Sequence, residues 1–179
     1  MSQLIYIVGA SGVGKDSLMH YARQRLNGSA PVLFAHRYIT RPVAGISENH
    51  IALTPEEFQL RKAGGLFTLD WESHDLYYGI GREIIDWMRS GFHVVVNGSR
   101  QYLPIAKERY PHLVTIIIEA DREIILQRLQ NRGREDAGDI TNRIKRQPPL
   151  DKAGLISITN NGLLEEAGET LVSVLKGFP

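Results

Sequence analysis

The chain has 179 residues, enough for one α/β unit with a substantial core and too few for two. Lys and Arg number 21 against 20 Asp and Glu, so net charge gives no reason to expect nucleic acid or an anionic membrane as partner. The absence of Cys excludes a disulfide framework, a thiolate nucleophile and a Cys-based zinc site.

In chain order, the run from Leu4 to Val8 is too short and too poorly flanked for a signal peptide. It reads as a first strand, and a cytoplasmic location is expected. The segment Gly9-Ala10-Ser11-Gly12-Val13-Gly14-Lys15 follows that strand and precedes Leu18, Ala22 and Leu26 at helical spacing. Strand, G-x-x-x-x-G-K and helix together form a phosphate loop. Its amides and the helix N-terminus would cradle phosphate, with Lys15 reaching the β and γ phosphates of a nucleotide. The hydroxyl residue that usually follows the Lys is here Asp16, followed by Ser17. Asp16 is expected either to bind Mg²⁺, directly or through water, or to act only as a favourable first-turn acid.

A second strand is expected from Val32 to Ile39, then an irregular stretch from Arg41 to Tyr78. Within it, Thr54-Pro55-Glu56-Glu57 starts a helix, with Thr54 as N-cap and Glu57 closing a capping box. A small α+β insert at about 41–80 is expected to hold the acceptor. Further strands are read at His93 to Asn97, Leu113 to Ile118 and Leu155 to Thr159, and a last helix carries Leu164, Ala167, Leu171 and Val174. The alternation implies a three-layer α/β fold on a mainly parallel sheet, with residues 1–179 forming a single domain. Polar, Gly-containing residues at about 130–142 suggest an Arg-rich lid, with Arg128, Arg132, Arg134, Arg143 and Arg146 as hydrogen-bond donors to phosphate or solvated helix-face charges. Asn97, Ser99 and Arg100 end a strand at the sheet edge where ligands bind, although Asn97-Gly98 equally suits a turn. Thr159-Asn160-Asn161-Gly162 either borders adenine or simply turns the chain.

Gly9 to Lys15, Thr40-Arg41-Pro42, Tyr77-Tyr78-Gly79 and the Arg-rich segment from Arg128 to Arg146, in that order, resemble guanylate kinases over almost the whole chain. The resemblance implies a P-loop kinase fold and makes Arg41 and Tyr78 acceptor-phosphate ligands. It also aligns Glu72 with a base-reading carboxylate. Yet the second Arg after T-R-P is replaced by Val43-Ala44-Gly45-Ile46, the base-reading hydroxyl by Ile80, and the acidic strand end by Asn97-Gly98-Ser99-Arg100. Gly-Lys-Asp-Ser, Glu48-Asn49-His50 and Val-Val-Val-Asn-Gly-Ser-Arg are together similar to ribose 1,5-bisphosphate phosphokinases of phosphonate utilisation. That resemblance implies conversion of ATP and ribose 1,5-bisphosphate to ADP and 5-phospho-α-D-ribose 1-diphosphate, with Mg²⁺.

Under this reading the phosphate loop (Gly9, Ala10, Ser11, Gly12, Val13, Gly14, Lys15, Asp16, Ser17) and Arg128 bind ATP. Lys15, Arg132 and Arg143 stabilise the transferring group. Arg41, Glu48, His50, Glu72, Tyr78, Asn97, Ser99 and Arg100 face the phosphosugar. A nucleoside monophosphate kinase and a non-catalytic binding module are the alternatives. No oligomeric state is implied.

Overall fold

The computed structural model describes residues 2–43, 49–131 and 154–179. Its main sheet contains β1 (Leu4–Gly9), β2 (Val32–Phe34), β7 (His93–Asn97), β8 (Val114–Glu119) and β9 (Ile156–Thr159). All five run parallel in the order β2-β7-β1-β8-β9. Central β1 is apolar throughout because both faces are covered. Its Ile5 and Ile7 enter a core shared with α1 (Lys15–Leu26), α5 (Arg122–Asn131) and α6 (Leu164–Lys176). Alternate residues Leu4, Tyr6 and Val8 enter a second core with α3 (Glu83–Arg89) and α4 (Leu103–Arg109). Helix, sheet and helix make the expected three layers.

The helical spacing on α1 is borne out: Leu18, Ala22 and Leu26 are buried. On α6, Ala167 and Leu171 are buried, whereas Leu164 in the first turn is exposed. Among the described residues no helix is long and apolar enough to cross a membrane.

The expected strand from Val32 to Ile39 is two strands in two sheets. After β2 the chain leaves the main sheet at Ala35, and β3 (Arg37–Ile39) begins a second sheet with β4 (His50–Ala52), β5 (Phe67–Ser73) and β6 (Leu76–Gly81). The switch is fixed by Asn49, whose Nδ2 donates to the carbonyls of Phe34 and Ala35. No Gly or Pro marks this break, because a side chain distant in sequence satisfies the bend. The insert sheet therefore begins at Arg37 rather than at 41.

Strands β5 and β6 form a hairpin through His74 and Asp75, both left-handed at φ 52° and 59°, a pairing suited to the twist of a two-residue turn. Helix α2 (Pro55–Ala63) starts at the expected cap, Thr54 accepting the Glu57 N–H at 3.1 Å, but the Glu57 carboxylate, expected to close a capping box, pairs with Arg61 instead. One face of the insert sheet lies under α2, where Phe58 stacks on Phe67 and Tyr77. The other contributes Leu69 and Ile80 to the second core.

Candidate active site

The phosphate loop leaves the C-terminal end of β1, the edge at which parallel sheets bind ligands. Gly12 and Gly14 take φ of 81° and 96°, where a side chain is strained. A Cβ on Gly14 would also lie 2.5 Å from Nδ2 of Asn160. No side chain caps α1, so its first amides remain for an anion. Lys15 Nζ donates to the loop's own carbonyls, Gly9 at 2.7 Å and Ala10 at 3.3 Å. The ammonium is thereby held across the loop it serves.

Two residues brace this loop from behind. Asn160 Nδ2 donates to the Val13 carbonyl at 2.8 Å, and Arg128 Nη1 reaches the same oxygen at 3.3 Å. Arg128, expected from the sequence to bind ATP, here reaches the backbone of the loop. Asn160, read from the sequence as either bordering adenine or turning the chain, is a buried brace of the loop.

In front of the loop, Asp16 Oδ1 accepts from Arg37 Nη2 at 2.7 Å and from Asn97 Nδ2 at 2.8 Å. Three elements meet here: α1, insert strand β3 and main-sheet strand β7. Asn97 is only 4% exposed, and its Oδ1 finds no hydrogen-bond partner among the described residues. Its two neighbours in the motif follow at once. The Ser99 N–H donates to the Tyr6 hydroxyl at 3.0 Å, and burial raises the Tyr6 pKa, keeping it a neutral phenol. Arg100 is half-buried, which lowers its pKa, while the Glu119 carboxylate opposes that shift.

The T-R-P and Y-Y-G motifs meet in the insert. Thr40 accepts the Tyr77 N–H on Oγ1 at 2.9 Å and donates its own N–H to the Tyr77 carbonyl at 3.1 Å. This pair of hydrogen bonds sets Arg41 beside the Tyr77-Tyr78 segment. Tyr78 stacks on Trp71 with ring planes 1° apart, and Trp71 stacks on Tyr102. His50 is buried with Nε2 3.3 Å from the Arg41 carbonyl, holding the backbone that carries Arg41.

Several expected ligands are separated from this group. Glu72 is opposite Tyr77 in the hairpin register, and Tyr77 faces α2 through its stack on Phe58. Successive strand residues point to opposite faces, so exposed Glu72 is on the reverse side from Tyr78 and does not join it. Ile80, where a base-reading hydroxyl would stand, is fully buried. Glu48, Arg132 and Arg143, with most of the expected lid, lie outside the described residues.

A ribose 1,5-bisphosphate phosphokinase PhnN of Desulfomicrobium baculatum is 52% identical over 98% of this chain and 95% of its own length. The protein of the same name from Thiobacillus denitrificans is 51% identical, over 97% of this chain and 92% of its own. The chain belongs to the ribose 1,5-bisphosphate phosphokinase family. A scan against protein-family models finds no match. Guanylate kinase from Anaplasma phagocytophilum superposes with a TM-score of 0.70 over 97% of this chain and 84% of its own, at 17% identity, and shares the fold. A gluconokinase from Sinorhizobium meliloti superposes more distantly, with a TM-score of 0.51 at 16% identity over 97% of this chain and 91% of its own.

In this phosphokinase family member, Arg37, which the sequence reading did not single out, also stands beside the phosphate loop. A trace of it was present: a charged residue in an otherwise buried-looking strand is an anomaly that needs a partner. The partner, Asp16, is 21 residues earlier.

Proposed function

We propose that the chain transfers the γ-phosphoryl group of ATP to the 1-phosphate of ribose 1,5-bisphosphate, releasing ADP and 5-phospho-α-D-ribose 1-diphosphate. The observation that carries this reading is an intact phosphate loop facing polar groups suited to phosphate and hydroxyls, with Ile80 buried where a base would need a hydrogen-bonding partner. A site without such partners discriminates poorly for a base edge. The substrate named for the two relatives has no base.

An acceptor phosphate is already an anionic nucleophile. One of its oxygens forms the new bond to the γ-phosphorus as the bond to the β–γ bridging oxygen breaks, and ADP departs with that electron pair. No proton has to move at the nucleophile, so positioning and charge neutralisation carry the catalysis. Gly9 to Lys15 with Ser17 hold the ATP phosphates, Lys15 balances charge on the transferring group, and Arg41 with Tyr78 orients the acceptor. Ser99 and Arg100 extend that acceptor wall from the end of β7. Asp16 fits a Mg²⁺ role through Oδ2, which has no protein donor among the described residues, while Oδ1 is engaged. Mg²⁺ is commonly held by one or two carboxylates together with water and substrate oxygens, a demand that a single Asp16 oxygen can meet. Bound there, Mg²⁺ would offset negative charge on the β and γ phosphates. An ATP-dependent reaction is in keeping with the cytoplasmic location expected from the sequence.

The test is ADP release from Mg-ATP with ribose 1,5-bisphosphate, GMP, AMP or no acceptor, the product being confirmed by mass. Turnover confined to ribose 1,5-bisphosphate is expected, and Lys15→Ala should reduce it by at least about 100-fold. Preference for GMP would overturn the assignment.

A further inference from the structure

Arg37 has a position that its role as a partner for Asp16 does not exhaust. It starts β3, where it pairs with Ile80, and Ile39 two residues on pairs with Tyr78. Paired and alternate residues share a face, so Arg37 and Tyr78 lie on the same side of the insert sheet, away from α2. From there its guanidinium crosses to the first turn of α1 and meets Asp16, the residue after the phosphate-loop lysine. Among the described residues it engages no other acceptor. A guanidinium has five donor N–H groups, so most of its hydrogen-bonding capacity remains beside the loop.

The tether is itself braced. Asn97 donates to the same Asp16 oxygen, and that bond fixes the amide orientation, leaving the buried Asn97 Oδ1 as an acceptor without a protein donor. A ribose hydroxyl is a donor of the matching kind. Arg37 is 13% exposed and Asp16 34%, so the pair is sheltered without being cut off from the cleft. When one phosphate attacks another, two anions must approach, and a fixed cation between them is the group that lowers this cost.

We propose that Arg37 binds the reacting 1-phosphate of the acceptor, with Asp16 as the positioning residue that aims its guanidinium and Asn97 as the brace. The inference rests on the phosphosugar reading above. It divides the acceptor between two arginines: Arg37 beside the phosphate loop holds the phosphate that attacks, and Arg41 holds the distal 5-phosphate.

Calorimetric binding of ribose 1,5-bisphosphate and of ribose 5-phosphate, each to the full chain with ADP and EDTA present, tests the division. EDTA removes any contribution of Asp16 through a metal. Arg37→Ala should weaken ribose 1,5-bisphosphate by about 10- to 100-fold, the range for losing hydrogen bonds to a charged group, and leave ribose 5-phosphate unchanged. Arg37→Lys should restore part of the loss, and Asp16→Asn should show the same selectivity with smaller amplitude. Equal weakening of both ligands, or of neither, overturns the assignment of Arg37. Wild-type protein that neither binds nor turns over ribose 1,5-bisphosphate instead overturns the functional reading, and this inference with it.

Discussion

Asn160 donates from its side-chain amide to the Val13 carbonyl at 2.8 Å, joining the residue after the last strand to the loop that opens the first helix. Its backbone N–H is tied in turn to the Glu119 carbonyl at 2.7 Å. The amide occupies the space left by the missing Cβ of Gly14. Loop and brace are therefore one fitted unit, in which a left-handed glycine and a buried asparagine require each other.

Asn160→Ala should cost about 1–3 kcal/mol of stability, because it leaves the Val13 carbonyl short of a buried donor. The loop should also hold ATP less tightly, with acceptor affinity little changed. Urea denaturation and equilibrium dialysis with ATP measure the two effects. Full ATP affinity in a destabilised variant would make Asn160 a purely structural residue.

Tyr78→Phe keeps the stack on Trp71 and removes only the hydroxyl. If that hydroxyl donates to an acceptor phosphate, the KM for acceptor should rise about 10-fold while the KM for ATP stays the same. Arg41→Ala should act in the same direction and more strongly. An unchanged acceptor KM in the Phe variant would leave Tyr78 with a packing role alone.

His93 links stability to pH. It is 2% exposed, its Nδ1 accepts the Gln3 N–H at 3.1 Å, and burial holds its pKa below the ordinary 6.5. The unfolded chain then takes up a proton at higher pH than the folded one. Stability is complete above about 6.5 and declines as pH falls from there toward the folded pKa. Urea midpoints at pH 7.5 and 5.5 should show this decline in wild type and a smaller one in His93→Gln. The same decline in both proteins would assign it to other groups.

Much of the molecule was written locally. The phosphate loop is a contiguous pattern between a strand and a helix, and every feature it needs lies within a few residues: glycines at left-handed φ, a lysine and an uncapped helix start. The Thr54 cap and the apolar spacing of α1 are equally local, since capping and amphipathicity depend on residues three or four apart. Three layers follow from the alternation of such segments.

What the chain does at long range required the fold. The break between β2 and β3 depends on Asn49, which has no local turn signature because it acts on carbonyls 14 and 15 residues away. Glu72 and Tyr78 both looked like acceptor ligands, but hairpin register decided that they face opposite ways. Arg37 and Asn97 come to Asp16 across separations of 21 and 81 residues, and Asn160 comes to Val13 across 147. Sequence alone thus determined that this protein grips nucleotide phosphates, because that grip is built from neighbouring residues. Only tertiary structure decided which side chains surround the phosphate loop, because an acceptor wall is assembled from strands whose order and register no local pattern encodes.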